Sequence, residues 1–210
     1  MRSWNRIGRG AATSYYYVRG KLASDPLYPG VVAALRGSDA PLLDLGCGIG
    51  LLAHALRADG QAMRYAGVDF DADKIVVAKT AANAHLKLAG RDFRDLRPDP
   101  RAPFAASSVA CSTCCNTCRT RRRNACSATP SPCSFPVRIV VRSSLHDANA
   151  RSRLADNRRQ RHRLDAQRAA AARLPRAFFE RRLAGAGLRA DFRPLHGRTP
   201  FNNWLIVATR

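Results

Sequence analysis

An apolar run ending in an acid, then three alternating glycines, then a second apolar run at helical spacing constrain this chain more than anything else in it. The stretch is Pro41-Leu-Leu-Asp-Leu-Gly-Cys-Gly-Ile-Gly-Leu-Leu52. Leu42, Leu43 and Leu45 fit a short buried strand, and Leu51, Leu52, Ala55 and Leu56 recur as one face of a helix. Between them Gly46, Gly48 and Gly50 let backbone approach a ligand without Cβ obstruction. A strand, a glycine turn and a helix in that order set the free N–H groups of a helix start beside a bound molecule. The alternation of strands and helices predicts an α/β fold with a doubly wound sheet.

The glycine spacing narrows the ligand. A dinucleotide fingerprint requires Gly-x-Gly-x-x-Gly, whereas this turn has Gly46-x-Gly48-x-Gly50, with Leu51 where the third glycine belongs. Asp44-x-Gly-x-Gly-x-Gly instead resembles the first motif of class I S-adenosylmethionine-dependent methyltransferases. The resemblance implies that Asp44, Gly46, Cys47, Gly48 and Gly50 lie against the amino-acid and ribose portions of S-adenosylmethionine.

Two further segments extend the likeness. Tyr65-Ala-Gly-Val-Asp69 is another apolar run ending in an acid, 19 residues beyond Gly50. A carboxylate at the end of the second strand can accept from both ribose hydroxyls, and in this family that role implies Asp69, with Phe70 beside it. Asp71 has a different expectation, capping the helix that carries Ile75, Val76 and Ala78. Leu86 to Leu96 resembles the family's third strand and the acidic turn after it. There the resemblance implies that Asp92 accepts from the adenine amino group and that Phe93 offers an apolar wall or a backbone N–H. Read alone, Asp92 and Asp95 are equally well turn residues on a solvated loop.

The 210 residues suit one methyltransferase-like domain. Its expected parts are an N-terminal helical cover over 1–38, a cofactor-binding half over 39–110, an aberrant stretch over 111–173, and a closing helix and strand hairpin over 174–210. The family resemblance covers 41–110, 137–147 and 174–210. No run of 18 apolar residues occurs, and Met1-Arg-Ser-Trp-Asn-Arg lacks an apolar leader, so a cytoplasmic protein without a membrane span is expected.

Two bulk features sit oddly with a small-molecule enzyme. The formal net charge is +21, and six of the seven cysteines fall between Cys111 and Cys133. Between Cys111 and Arg173 there are fourteen arginines, no lysine, and the three acids Asp147, Asp156 and Asp165. One reading is a zinc knuckle beside a basic nucleic-acid patch, from Cys111-x-x-Cys114, Cys115-x-x-Cys118 and Arg119 to Arg123, with Cys126 or Cys133 completing the site. Against it, the two pairs abut at Cys114-Cys115 and lack the loop by which separate knuckles converge on one metal; no metal site is assigned. A disulfide framework does not suit a cytoplasmic chain.

Translation out of frame explains more. Written in GC-rich codons as TGC TCG ACG TGC TGC AAY ACC TGC, Cys111 to Cys118 become Leu-Asp-Val-Leu-Gln-(Tyr or His)-Leu when read from the third base of the first codon. That resembles the apolar fourth strand of the family and the start of the turn after it. A weaker instance falls near Arg163 to Gln167. Sequencing the encoding DNA and transcript tests the idea, and an absence of compensating insertions or deletions against close homologues overturns it. In either case Ser112, Thr113, Asn116 and Thr117 cannot line a buried strand without stranding polar groups. The central fourth strand is therefore expected to be damaged, and 111–136 poorly ordered.

Val137 to Asp147 returns to an in-frame pattern, with Ile139, Val140 and Val141 as a fifth strand. Ala177 to Gly187 reads as an amphipathic helix closed by glycine, and Leu188 to Leu195 and Trp204 to Thr209 as two strands, which resembles the antiparallel end of a seven-stranded methyltransferase sheet. Tyr16, Tyr17 and Arg19 are candidates for the substrate mouth, Arg19 as a partner for the methionine carboxylate. Packing of these aromatics on the sheet edge is the competing reading. His146, after the fifth strand, is the best-placed candidate general base.

The combined expectation is methyl transfer from S-adenosylmethionine to an O, N or C atom of a small-molecule acceptor. Because the sulfonium already activates the methyl group, absence of a catalytic dyad does not argue against an enzyme. The rivals are a degenerate, inactive relative and a basic zinc- or nucleic-acid-binding module.

Overall fold

The structure is a computed structural model, and it describes residues 16, 18–85, 91–95, 108–111, 138–145, 174–195 and 203–210. After a helical stretch over 18–24 come α1 (Leu27–Leu35), β1 (Leu42–Leu45), α2 (Leu51–Ala58), β2 (Tyr65–Asp69), α3 (Ala72–His85), β3 (Arg91–Asp95), β4 (Ser108–Cys111) and β5 (Arg138–Ser144). The chain closes with α4 (Arg176–Ala184), β6 (Arg189–Pro194) and β7 (Asn203–Thr209).

The seven strands form one sheet in the order β3-β2-β1-β4-β5-β7-β6. The first five are parallel, and β7 runs antiparallel to both β5 and β6. Parallel neighbours cannot be joined by a tight hairpin, so α2 and α3 carry the chain from β1 to β2 and from β2 to β3. Strand order runs outward through β2 and β3 on one side of β1, and through β4 and β5 on the other. This reversal opens a crevice at the carboxyl ends of β1 and β4, the place where doubly wound sheets take ligands.

Alternation along the strands builds two cores. Leu205 and Val207 of β7 and Val140 of β5 join the larger cluster with Leu27, Val31 and Leu35 of α1, Leu52 and Leu56 of α2, and Ile75 and Ala78 of α3. Ile206 joins the opposite cluster with Leu145 and Phe179, flanked by Val141 and Trp204. Successive strand residues point to opposite faces, so α1 to α3 cover one face of the sheet and α4 the other.

Two expectations are corrected here. A fourth strand is present: Ser108-Val-Ala-Cys111 forms β4 just before the cysteine-rich stretch, with Ala110 in register with both Asp44 of β1 and Val140 of β5. Its buried Ser108 and Ala110 are small enough to sit between two flanking strands whose backbones satisfy its own. The continuation over 112–137, with its frame-shift reading and the cysteines Cys114, Cys115, Cys118, Cys126 and Cys133, lies outside the described residues. Second, residues 27–35 of the expected N-terminal cover are core. A Cβ added at Gly30 would stand 3.2 Å from Leu195 and 3.3 Å from Leu205, so α1 lies close against the strand hairpin.

The expected fifth strand extends to Ser144, and the closing helix and hairpin stand where the sequence places them. Among the described residues no helix is long and apolar enough to cross a membrane.

Candidate functional site

Gly46, Gly48 and Gly50 all have positive φ, at 76°, 57° and 81°, a region that residues with a Cβ enter at a cost. The turn is pinned from below, because the N–H groups of Gly46 and Cys47 both donate to the Val68 carbonyl, at 2.8 and 3.0 Å. Gly50 is the N-cap of α2 and supplies no side-chain cap. The first N–H groups of that helix are thus left for other acceptors.

The two sides of the turn differ. Among the described residues a Cβ on Gly48 meets no atom within 4 Å, so this side is open to them. A Cβ on Gly50 would lie 2.9 Å from the Phe93 ring, and one on Gly67 would lie 2.9 Å from the same ring and 3.0 Å from Cys47 Cβ and Sγ. Phe93 is buried, fills the space under the turn, and meets Tyr65 with ring centroids 5.6 Å apart.

Asp69 ties the second strand to the turn. Its Oδ2 accepts from the Gly48 N–H at 2.8 Å and its Oδ1 from the Asp71 N–H at 2.9 Å. A carboxylate oxygen has more than one acceptor site, so these bonds orient Asp69 and leave capacity for a ligand's hydroxyls. Asp71 caps α3 as expected, accepting from the Lys74 N–H at 3.3 Å and pairing with its ammonium at 3.0 Å.

Behind the turn Asp44 is fully buried. Its Oδ2 accepts from the Tyr65 hydroxyl at 2.6 Å, and its Oδ1 has no partner among the described residues. Burial pushes the Asp44 carboxyl up to about 7, against the Tyr65 hydrogen bond, which favours the anion, and with a further upward push from Asp69. Burial also raises the Tyr65 phenol well above its ordinary range, the Asp44 charge adding to the effect. The Cys47 thiol is driven above the usual thiol range by burial and then by Asp44 and Asp69, so it stays protonated and inert.

Several predicted residues therefore take more specific places. Asp44, Gly46, Gly48, Gly50 and Asp69 converge on one turn. The Cys47 side chain faces the core at Gly67, so what Cys47 offers a ligand is backbone. Phe93 supports the turn from beneath and is no exposed apolar wall, because the missing Cβ atoms of Gly50 and Gly67 admit its ring there. Asp92 lies within β3, in register with Ala66, and the acid level with Asp69 at the strand's end is Asp95, so Asp92 is not in a turn after the strand. Phe70 is 43% exposed next to Asp69. Tyr16 and Arg19 are exposed beside and within the 18–24 helical stretch, while Tyr17 and His146 lie outside the described residues.

Tyr65 and Gly67 escape the sequence reading. The signal available is register: parallel pairing of Leu42 with Tyr65 sets the phenol two positions from Asp44, and Gly67 stands opposite Asp44 itself.

The family model described as "Methyltransferase domain" matches residues 42–129. Comparison with curated proteins gives no match. Among solved structures, magnesium protoporphyrin IX methyltransferase from Synechocystis PCC 6803, with bound S-adenosylhomocysteine, aligns with TM-score 0.66 and 17% identity over 87% of this chain and 81% of that one. The pyocyanin biosynthetic protein PhzM aligns with TM-score 0.67 and 17% identity over 99% of this chain and 61% of PhzM. The mitomycin 7-O-methyltransferase MmcR gives TM-score 0.64 and 17% identity over 99% of this chain and 60% of its own. This chain therefore spans about three-fifths of the last two proteins. The match to a methyltransferase domain thus takes in the glycine turn and strands β1 to β4, and this chain shares the fold of these solved methyltransferases.

Proposed function

We propose that this chain transfers a methyl group from S-adenosylmethionine to a small-molecule acceptor at an O, N or C atom. The observation that carries the reading is the turn at Gly46 to Gly50, open at Gly48, tied to Asp69 and lying beside the crevice at the carboxyl ends of β1 and β4. Neighbours named for porphyrin and mitomycin methylation, and one named for pyocyanin biosynthesis, favour a small acceptor.

When bound, S-adenosylmethionine supplies an electrophilic methyl on its sulfonium, which an acceptor lone pair takes as the carbon–sulfur bond breaks. Asp69 holds the ribose hydroxyls, its orientation fixed by Gly48 and Asp71. Gly48 lets the backbone close on the ligand, and the uncapped start of α2 offers N–H donors to its carboxylate. Tyr16 and Arg19 line the acceptor side, and Phe70, next to Asp69, borders the adenine. With the methyl already activated, these residues act chiefly by alignment.

Calorimetric titration with S-adenosylmethionine, followed by transfer of a labelled methyl to a panel of small phenols, carboxylic acids and amines, tests the reading. Binding with turnover on at least one acceptor is expected. Absence of binding overturns the cofactor assignment, and binding with no turnover on any acceptor overturns the enzymatic part and favours a degenerate relative.

A further inference from the structure

Asp44 is an anomaly for a buried carboxylate. Side-chain burial is complete, the partner of Oδ2 is a neutral phenol, and no ion pair to Asp44 occurs among the described residues. A buried charge satisfied on one oxygen alone is costly unless a proton or a nearby cation relieves it. Among the described residues the titratable groups around it are Tyr65 and Asp69 of β2, Cys47 of the turn, and Tyr28 of α1, which acts on Tyr65; none of these is cationic. On the neighbouring β4, the buried Ser108 stands two residues along from the Ala110 that pairs with Asp44.

Asp44 lies two residues ahead of Gly46, where the turn whose open side would receive the cofactor begins. We propose that Tyr65 is a positioning residue of the cofactor site: its hydroxyl holds Asp44 as an anion immediately behind the glycine turn, and that enclosed charge attracts the ammonium at the amino-acid end of S-adenosylmethionine. The attraction acts across the turn, since no surface of Asp44 is open to direct contact. In such an enclosed place a unit charge acts over several ångströms with little screening. Ligand cation and proton thus compete to relieve the same carboxylate, and Tyr65 sets the balance in favour of the ligand. The inference rests on the cofactor reading above, which assigns the turn to S-adenosylmethionine.

The test compares wild type, Tyr65→Phe and Asp44→Asn by calorimetry across roughly pH 5.5–8.5, with two kinds of ligand. One is S-adenosylmethionine, with S-adenosylhomocysteine beside it as the neutral thioether that keeps the ammonium; the other is methylthioadenosine, a neutral thioether that keeps the adenosine and lacks the amino-acid end. Wild-type affinity for S-adenosylmethionine is expected to fall as pH drops through the Asp44 titration. Tyr65→Phe should move that midpoint upward and weaken binding at neutral pH by about tenfold, the loss of one hydrogen bond to a charged group. Asp44→Asn should weaken binding similarly and abolish the midpoint. Methylthioadenosine affinity should change less than about twofold in either variant, which also reports that both remain folded. An equal loss for both ligands in Tyr65→Phe, or an unmoved midpoint, overturns the positioning role and makes Tyr65 a packing residue. Failure of the wild type to bind either ligand overturns the cofactor reading itself and the inference with it.

Discussion

The Gly48 N–H donates to Oδ2 of Asp69 at 2.8 Å, so the first glycine turn and the end of the second strand hold one another in place. Two residues 21 apart in the chain thereby behave as one element. A ligand bound to the turn meets an acid already oriented by the backbone that would bind it.

Replacing Asp69 with alanine should weaken S-adenosylmethionine binding by about ten- to a hundredfold, because it removes the proposed ribose acceptor and releases the Gly48 N–H together. Calorimetry measures the loss. Asp69→Asn, which keeps one acceptor oxygen, should recover part of it; an alanine variant with unchanged affinity would remove Asp69 from the site.

Gly48 and Gly67 should fail in different ways. At Gly48 an added Cβ meets nothing among the described residues within 4 Å but projects from the open side of the turn at φ 57°, so Gly48→Ala should cost only about 1 kcal/mol of stability and yet lower cofactor affinity at least about tenfold. At Gly67 the Cβ would press on Phe93 at 2.9 Å and on Cys47 at 3.0 Å, so Gly67→Ala should cost about 1–3 kcal/mol. Urea denaturation beside calorimetry separates the two. Similar stability losses in both variants would contradict the two-sided description of the turn.

Asp44 gives the ligand-free protein a pH dependence of definite sign. Its native pKa, raised to about 7 from 3.8, means that the folded state keeps a proton that the unfolded chain releases. Stability contributed by Asp44 is therefore retained below about pH 4, declines between 4 and 7, and is fully lost above. Asp44→Asn has no such titration, so its stability relative to wild type should improve by on the order of 3 kcal/mol between pH 4 and pH 8. Denaturant midpoints at the two pH values give the difference directly, and a relative stability that does not change with pH would show Asp44 to be ordinary in its titration.

The Arg142 guanidinium pairs with Asp25 at 3.0 Å, with both side chains about four-fifths enclosed and Arg142 Nε without a partner among the described residues. Asp25 also accepts from the Leu27 N–H at 3.0 Å, capping the start of α1. Asp25→Ala should lose the cap and leave the arginine enclosed with no carboxylate, at about 1–3 kcal/mol. Asp25→Asn keeps the cap acceptor and should recover roughly half of that loss, read from thermal unfolding.

The cofactor half of the sheet was legible because its signals are local. Leu42 to Leu56 declares strand, turn and helix through spacing alone, and Asp69 follows at the distance a second strand requires. What stayed hidden depends on pairing between distant segments. Nothing near Tyr65 says that its hydroxyl meets Asp44, and nothing near Phe93 says that its ring lies beneath Gly50 and Gly67; parallel register decides both. The fourth strand, expected as a damaged one from Cys111 onward, lies earlier, at Ser108–Cys111, for another reason. Four residues with two small side chains carry little apolar signal, and their burial comes from β1 and β5 on either side.

The ring beneath the turn also limits how this protein can diverge. Phe93, Gly50 and Gly67 come from three separate segments yet occupy one volume, so a change at any of them is tolerated only when another changes in step. A relative that gains a side chain at position 67 should have surrendered the aromatic at 93, and the three positions should be inherited as a unit even where the acceptor differs.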